Sequence, residues 1–221
     1  MIYKITLKDY LKIGYQVGKK NYWALIRFYL FQILISVCAG ITLIGIIILP
    51  AILVGFTDCA LKIFRGESYR YKDSLSVGFR EGMWWKSFLF CLIVIVGFFS
   101  IILVTPFLNN YTVIIPLILV IIGTYLITLC MFGLFLLADK NMTPIEVLGK
   151  SAELVHQLGF WLCFSFVIAL FIFNIITYIP FGFLIYCFFF APFLLMSWIA
   201  LYENASGNLS VKSHEQITYV Q

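Results

Sequence analysis

From Ser87 to Ala138 the chain reads SFLFCLIVIVGFFSIILVTPFLNNYTVIIPLILVIIGTYLITLCMFGLFLLA, 52 residues without an Asp, Glu, Lys or Arg. A helix rises about 1.5 Å per residue and the hydrocarbon core of a bilayer is about 30 Å thick, so about 20 apolar residues cross it once. This stretch predicts two crossings. The reversal falls at Pro106-Phe107-Leu108-Asn109-Asn110-Tyr111-Thr112, where proline and paired asparagines favour a turn.

Two more uncharged runs flank it, Phe28–Thr57 with 30 residues and Leu154–Tyr202 with 49. The later run holds the end of an amphipathic helix and then two spans, broken near Asn174–Gly182 with Pro180 inside. The chain is 63% hydrophobic and 11% charged, against a charged share of about 25% in soluble domains. No water-soluble fold of this length could hide that much apolar surface. The net charge of +5 does not point to nucleic acid, because the charges flank the spans. That is the pattern of topology determinants and phospholipid contacts.

The first run is ambiguous by length, as one tilted helix or two short ones. Charge resolves it. Lys4, Lys8, Lys12, Lys19, Lys20 and Arg27 precede the run, and a second basic segment extends from Lys62 to Lys86. Cytoplasmic loops carry the Lys/Arg excess. An even number of crossings therefore separates the two segments, and the run is a hairpin turning between Gly40 and Pro50. The prediction is an all-α, polytopic membrane protein. Its six spans lie near 23–42, 45–64, 84–106, 113–137, 159–178 and 181–202, with both termini cytoplasmic. Residues 1–205 form one membrane domain and 206–221 a polar tail. No small-residue cleavage site follows the first apolar run, so the first span is expected to stay as an anchor. Trp23, Trp84, Trp85, Trp161 and Trp198 fall at cytoplasmic ends of spans, and Tyr111 and Tyr178 at the outer boundary, as interfacial aromatics do.

A polar segment precedes each hairpin and repeats. It reads Asp9-x-Leu11-x-x-Gly14-Tyr15-x-x-Gly18, then Asp73-x-Leu75-x-x-Gly78-Phe79-x-x-Gly82, then Glu146-x-Leu148-x-x-Ser151. Thr6 three residues before Asp9, and Thr143-Pro144 before Glu146, read as helix starts with a hydroxyl N-cap and an acid at N3. Lys4, Lys8 and Lys12 recur at i, i+4, i+8, with Leu7, Leu11 and Gly14 on another face, as in a helix lying on a membrane surface. The unit is an interfacial amphipathic helix plus a two-span hairpin. Three parallel copies are expected, at about 5–65, 70–138 and 143–203. The pairs Gly14/Gly18 and Gly78/Gly82 are expected to let the surface helix approach a span closely.

Asp139, Asn141, Met142, Pro144, Glu146, Leu148, Ser151, Leu154, Gly159, Trp161 and Phe164, with Gly66-Glu67 and Gly78-Phe79 upstream, form a recognisable pattern. It resembles the six-span membrane domain attached to some bacterial glycerophosphodiester phosphodiesterases, and the related uncharacterised bacterial multipass families. Val147 departs from it, since those proteins usually carry Ala after the acid. The resemblance implies the six-span fold and a bacterial cytoplasmic membrane. It does not imply the enzyme. That activity would sit in a separate soluble barrel of about 250 residues, and 18 residues follow Glu203.

Few residues offer chemistry. There is no metalloprotease, nucleophile-elbow or Walker motif, and no C-x-x-C pair among the six cysteines. No catalytic residue, cofactor or metal site is expected. Intramembrane polar groups are the functional candidates: Arg27, Asp58, Lys62 and Asn174. Arg27 and Asp58 lie equally far from a turn near 42–43, which predicts an ion pair across the hairpin, with Lys62 as competitor. Lys4, Lys8, Lys12, Lys19, Lys20 and His156 are candidate contacts for anionic lipid headgroups. The expected role is non-enzymatic binding, movement or organisation of lipids or amphiphiles. The alternative is a permease-type subunit working with a separate ATPase.

Overall fold

The structure, a computed structural model, describes residues 6–104, 114–179 and 181–208. The expected turn at Pro106–Thr112, Pro180, Lys4 and the tail beyond Asn208 lie outside these residues. Among the described residues the chain is all-helical. Its helices are α1 (Leu7–Lys20), α2 (Tyr22–Gly40), α3 (Leu43–Arg65), α4 (Tyr71–Val77), α5 (Met83–Val104), α6 (Ile114–Cys130), α7 (Gly133–Lys140), α8 (Pro144–Leu158), α9 (Phe160–Ile175), α10 (Gly182–Ile185) and α11 (Ala191–Ala205). Five segments among the described residues are long and apolar enough to cross a membrane: Tyr22–Gly40, Ile47–Arg65, Ile121–Lys140, Phe160–Tyr178 and Gly182–Ala205. Met83–Ile95, within α5, is a shorter apolar helix.

The amphipathic helices begin as their sequence dictates. At α1 the Thr6 backbone N–H and hydroxyl donate to the Asp9 carboxylate at 2.8 and 2.7 Å. At α8 the Thr143 N–H donates to Glu146 Oε2 at 2.9 Å, and the Glu146 N–H to Thr143 Oγ1 at 3.4 Å. Each device occupies donors that a helix start leaves unpaired. Tyr10, Ile13, Gly14 and Gly18 of α1 are buried, while Lys8, Lys12, Lys19 and Lys20 are exposed. The chain reverses after α2 at Ile41–Thr42, inside the expected window. Thr42 Oγ1 caps α3 by accepting from Gly45 N at 2.9 Å.

The long helices are not equivalent. Of Ile47–Arg65, 61% is buried in the bundle, against 22% of Tyr22–Gly40 and 17% of Phe160–Tyr178. Thus α3 is central and α2 and α9 are peripheral. At the charged end α3 meets both α7 and α11. Tyr202 of α11 stacks on Phe135 of α7, with ring centroids 5.2 Å apart.

Each short amphipathic helix rests on a long helix at a point where the latter is irregular. Helix α1 packs along α11, next to Pro192. A Cβ on Gly14 would overlap the Ser197 backbone, and one on Gly18 would press into Phe193. Helix α4 packs on α3, where a Cβ on Gly78 would collide with the Ala51 carbonyl beside Pro50. Helix α8 lies on α6 and α7, which are parted by a turn at Met131–Phe132. There Ser151 Oγ donates to the Leu129 carbonyl at 2.6 Å and accepts from Phe132 N–H at 3.2 Å. One hydroxyl thereby satisfies two backbone groups that the break releases. Gly82 departs from the expected close-packing role. It closes a short 3₁₀ turn, Arg80–Gly82, with φ +73°, and no atom lies near a Cβ built there. Its use is the left-handed backbone that glycine adopts at no steric cost.

Candidate functional site

The interior between the long helices is not filled. A cavity of about 990 Å³ is lined by residues of α2, α3, α5, α6, α7, α9 and α11. Its wall is mostly apolar, with Phe56, Phe90, Val94, Leu134 and Phe171 among the lining residues. No Asp, Glu, Lys, Arg or His is among them. The polar groups are few: Gln32, Thr57, Asn174, and the side chains of Tyr29, Tyr178, Tyr186 and Trp198. A concave, largely apolar chamber with a small number of polar groups is the usual form of a ligand site, and 990 Å³ lies at the upper end of their range of roughly 300–1,000 Å³.

The last membrane-length segment, Gly182–Ala205, contributes Tyr186, Ala191, Leu194, Leu195 and Trp198 to the chamber wall. Between α10 and α11 it forms a π-helical turn, Tyr186–Phe190. Such turns widen a helix locally and recur at functional sites. Two tyrosines of α2 serve its backbone: Tyr22 donates to the Phe188 carbonyl at 3.1 Å and Tyr29 to the Ala191 carbonyl at 2.9 Å. The turn presents Tyr186 to the chamber, where it approaches Asn174. Trp198 also lines the chamber. It packs edge-on against Phe135, and among the described residues its buried indole N–H has no hydrogen-bond partner. The expectation that Trp198 anchors at a headgroup surface is therefore corrected. Trp23, Trp84, Trp85 and Trp161, at the starts of their helices, are exposed.

The charged end of the chamber is closed. Below the Phe135–Trp198 contact lies Tyr202, whose hydroxyl donates to Asp139 at 2.9 Å. Arg65 then joins the three central helices. It pairs with Asp139 of α7 at 2.9 Å and with Glu203 of α11 at 2.7 Å. Glu203 is only 4% exposed, so its charge depends on this partner.

The predicted site residues divide. Asn174 lines the chamber. Arg27, Asp58 and Lys62 do not. The expected Arg27–Asp58 pair is not formed: Asp58 pairs with Lys62 at 2.6 Å, and Arg27 is exposed and donates to the Trp23 carbonyl at 3.2 Å. The i,i+4 partner already faces Asp58 on one helix and needs no docking of a second. Arg27 instead lies near Tyr71, where its charge works against the burial that pushes the Tyr71 hydroxyl up to about 12. Lys8, Lys12, Lys19, Lys20 and His156 are exposed on the short helices. Among the described residues no group of His, Cys, Asp or Glu could hold a metal. The cysteines are free, with Cys59, Cys163 and Cys187 buried as small apolar groups.

Sequence reading missed two features. One is the meeting of Arg65 with Asp139 and Glu203: the two acids share a register, each 23 residues after a proline, Pro116 and Pro180, but that spacing does not point to Arg65. Gln32 and Ser36 interrupt the first apolar run four residues apart, which places them on one face of α2. No family model, curated protein or solved structure matches the chain.

Proposed function

We propose that this is a non-enzymatic, six-span protein of the bacterial cytoplasmic membrane that holds an amphiphile in the chamber between its spans. The observation that carries the reading is the chamber itself: about 990 Å³, apolar, and uncharged in its lining. An acyl or similarly apolar chain leaves bulk lipid for such a space at little cost. A charged metabolite would enter it unpaired.

The sixth span in this reading is α5. It is 22 residues long, about 33 Å at helical rise, and so matches the hydrocarbon thickness. The basic segments before α2 and between α3 and α5 support a cytoplasmic position for both termini in this reading. Reporter fusions after Lys72 and after Asn110 are expected on opposite sides, and the same side for both overturns the topology. The chain is then three parallel copies of surface helix plus hairpin. Gly14, Gly78 and Ser151 stand at one position of this unit, and each meets the second span of the copy before it, α1 closing the ring on α11. The exposed lysines of α1 face anionic headgroups, each contributing about 1 kcal/mol near such a surface.

The test is direct. The protein is extracted in a mild detergent and its retained lipid read by native mass spectrometry. A bound amphiphile is expected on the wild type and is expected to be retained less by Val94→Trp, which narrows the chamber at its α5 wall. A wild type that carries none, and takes up none from added lipid, overturns the reading. Co-purification of a soluble ATPase in place of lipid would favour the permease alternative.

A further inference from the structure

On one side of the bundle a surface recess backs onto the chamber. A second recess of about 350 Å³ lies on the flank between α2 and the π turn. Its lining includes Tyr29, Gln32, Tyr186 and Ala191, and these four also line the chamber. The recess and the chamber are therefore two sides of one thin wall. Peripheral α2 and the widened turn are the elements that meet there.

The polar groups at this wall are specific. Gln32 and Ser36 both line the recess, one helical turn apart. Gln32 stands ten residues beyond Tyr22, where α2 begins, so it lies about 15 Å along a span that crosses about 30 Å. Among the described residues neither its amide nor the Ser36 hydroxyl forms a side-chain hydrogen bond with the protein. Unpaired polar groups at that depth are costly, and intramembrane polar groups mark functional sites. The amide supplies two donors and an acceptor, and the hydroxyl a donor and an acceptor. No charged residue lines either space.

Resting on the amphiphile-binding reading above, we infer that the ligand enters sideways from the bilayer, between α2 and the π turn. It is an uncharged acylglycerol-type lipid, whose hydroxyl and ester groups engage Gln32 and Ser36 while its chain occupies the chamber. A phospholipid of the same chains would bring its phosphate to a wall with no cation. It is excluded by the desolvation of that charge. A hydrocarbon without polar groups would leave Gln32 and Ser36 as they are.

The experiment uses the full chain in nanodiscs with two photoreactive probes of identical acyl chains, a diacylglycerol and a phosphatidylglycerol, each carrying its diazirine on the chain. Cross-links are mapped by peptide mass spectrometry. The diacylglycerol probe is expected to label chamber residues such as Leu53 and Val94, at least about tenfold over phosphatidylglycerol, as one or two hydrogen bonds would give. Gln32→Leu with Ser36→Ala is expected to erase that preference. The same double variant is expected to unfold no earlier than wild type without ligand, since it removes unpaired polar groups; a merely structural role would lower its stability. Ala191→Trp, at the shared wall, is expected to slow chamber labelling without removing surface labelling. Equal chamber labelling by both probes, with the double variant unchanged, overturns the uncharged-lipid assignment and leaves amphiphile binding standing. Unslowed labelling of Ala191→Trp overturns the lateral route. Labelling of the chamber by neither probe overturns the underlying reading itself.

Discussion

The charged end of the bundle and the half that faces away from it are held by different means. At the charged end every central helix is tied to the others. Arg65 bridges α3 to α7 and α11, Tyr202 stacks on Phe135, and the short helices dock through Gly14, Gly78 and Ser151. Beyond Trp198 the helices part around a chamber of about 990 Å³, and among the described residues the Gln32 amide there forms no side-chain hydrogen bond with the protein. Polar links are strong where a backbone or charge would otherwise be buried alone, and weak apolar contact is enough where lipid can replace protein as neighbour. Rigidity sits at one end, and room for a guest at the other.

Substitutions can break this contrast or sharpen it. The largest effect is expected for Gly78→Leu. Its side chain would enter the space of the Ala51 carbonyl, and backbone cannot step aside as a rotamer can. The expected outcome is no monodisperse protein by size-exclusion chromatography, and a normal elution profile would show that α4 does not lock α3. Arg65→Ala comes next. It leaves Glu203, 4% exposed, without a partner, and a cost of about 3 kcal/mol is expected, the low end for a broken buried pair because water reaches Arg65. Denaturant titration in detergent measures it, and adding Glu203→Gln is expected to recover part of the loss. Ser151→Ala orphans the Phe132 N–H and the Leu129 carbonyl, at an expected cost of about 2 kcal/mol in the same titration.

In the other half, Phe171→Ala removes a ring already 50% exposed and bordering the chamber. The expected loss is below about 1 kcal/mol, since a ring with few neighbours has little contact to lose. A loss as large as that of Arg65→Ala would erase the contrast. The smallest effect is pH-dependent. The backbone N–H of Thr143 holds the Glu146 carboxyl below its ordinary value of 4.5. A lowered acid stabilises above its unfolded value and ceases to do so as the pH falls through its folded one. Wild type is thus expected to exceed Glu146→Gln in stability at neutral pH, and the gap to close below pH 4.5.

The contrast explains what could be read from the sequence. Apolar runs, capping residues and glycine spacing act locally, so the span boundaries near Tyr22 and Arg65, the N-caps Thr6 and Thr143, and the docking of Gly14 and Gly78 were legible. Arg65, Asp139 and Glu203 looked like ordinary charges at span ends, because nothing local says that three such ends converge. The Arg27–Asp58 pairing failed for the converse reason. Equal depth brings two residues level, but not onto facing sides, and Lys62 was already one turn away. The π turn was hidden too. Its own residues, Tyr186-Cys-Phe-Phe-Phe190, do not mark it; Pro192 withholds the N–H that the Phe188 carbonyl would take in a regular helix, and the Tyr22 hydroxyl on α2 donates to that carbonyl instead.

The contact between α1 and α11 carries a consequence for biosynthesis. Asn204 donates to the hydroxyl of Tyr10 across 194 residues of chain. At a translation rate of about 5–20 residues per second, α1 leaves the ribosome on the order of 10–40 s before its partner exists. Through that interval its buried face, Tyr10, Ile13, Gly14 and Gly18, lacks the helix along which it packs most extensively. The earliest helix is also the final fastener. A chain that stalls before α11 never receives its seal, and it presents quality control with an unclaimed amphipathic helix as the mark of an unfinished product.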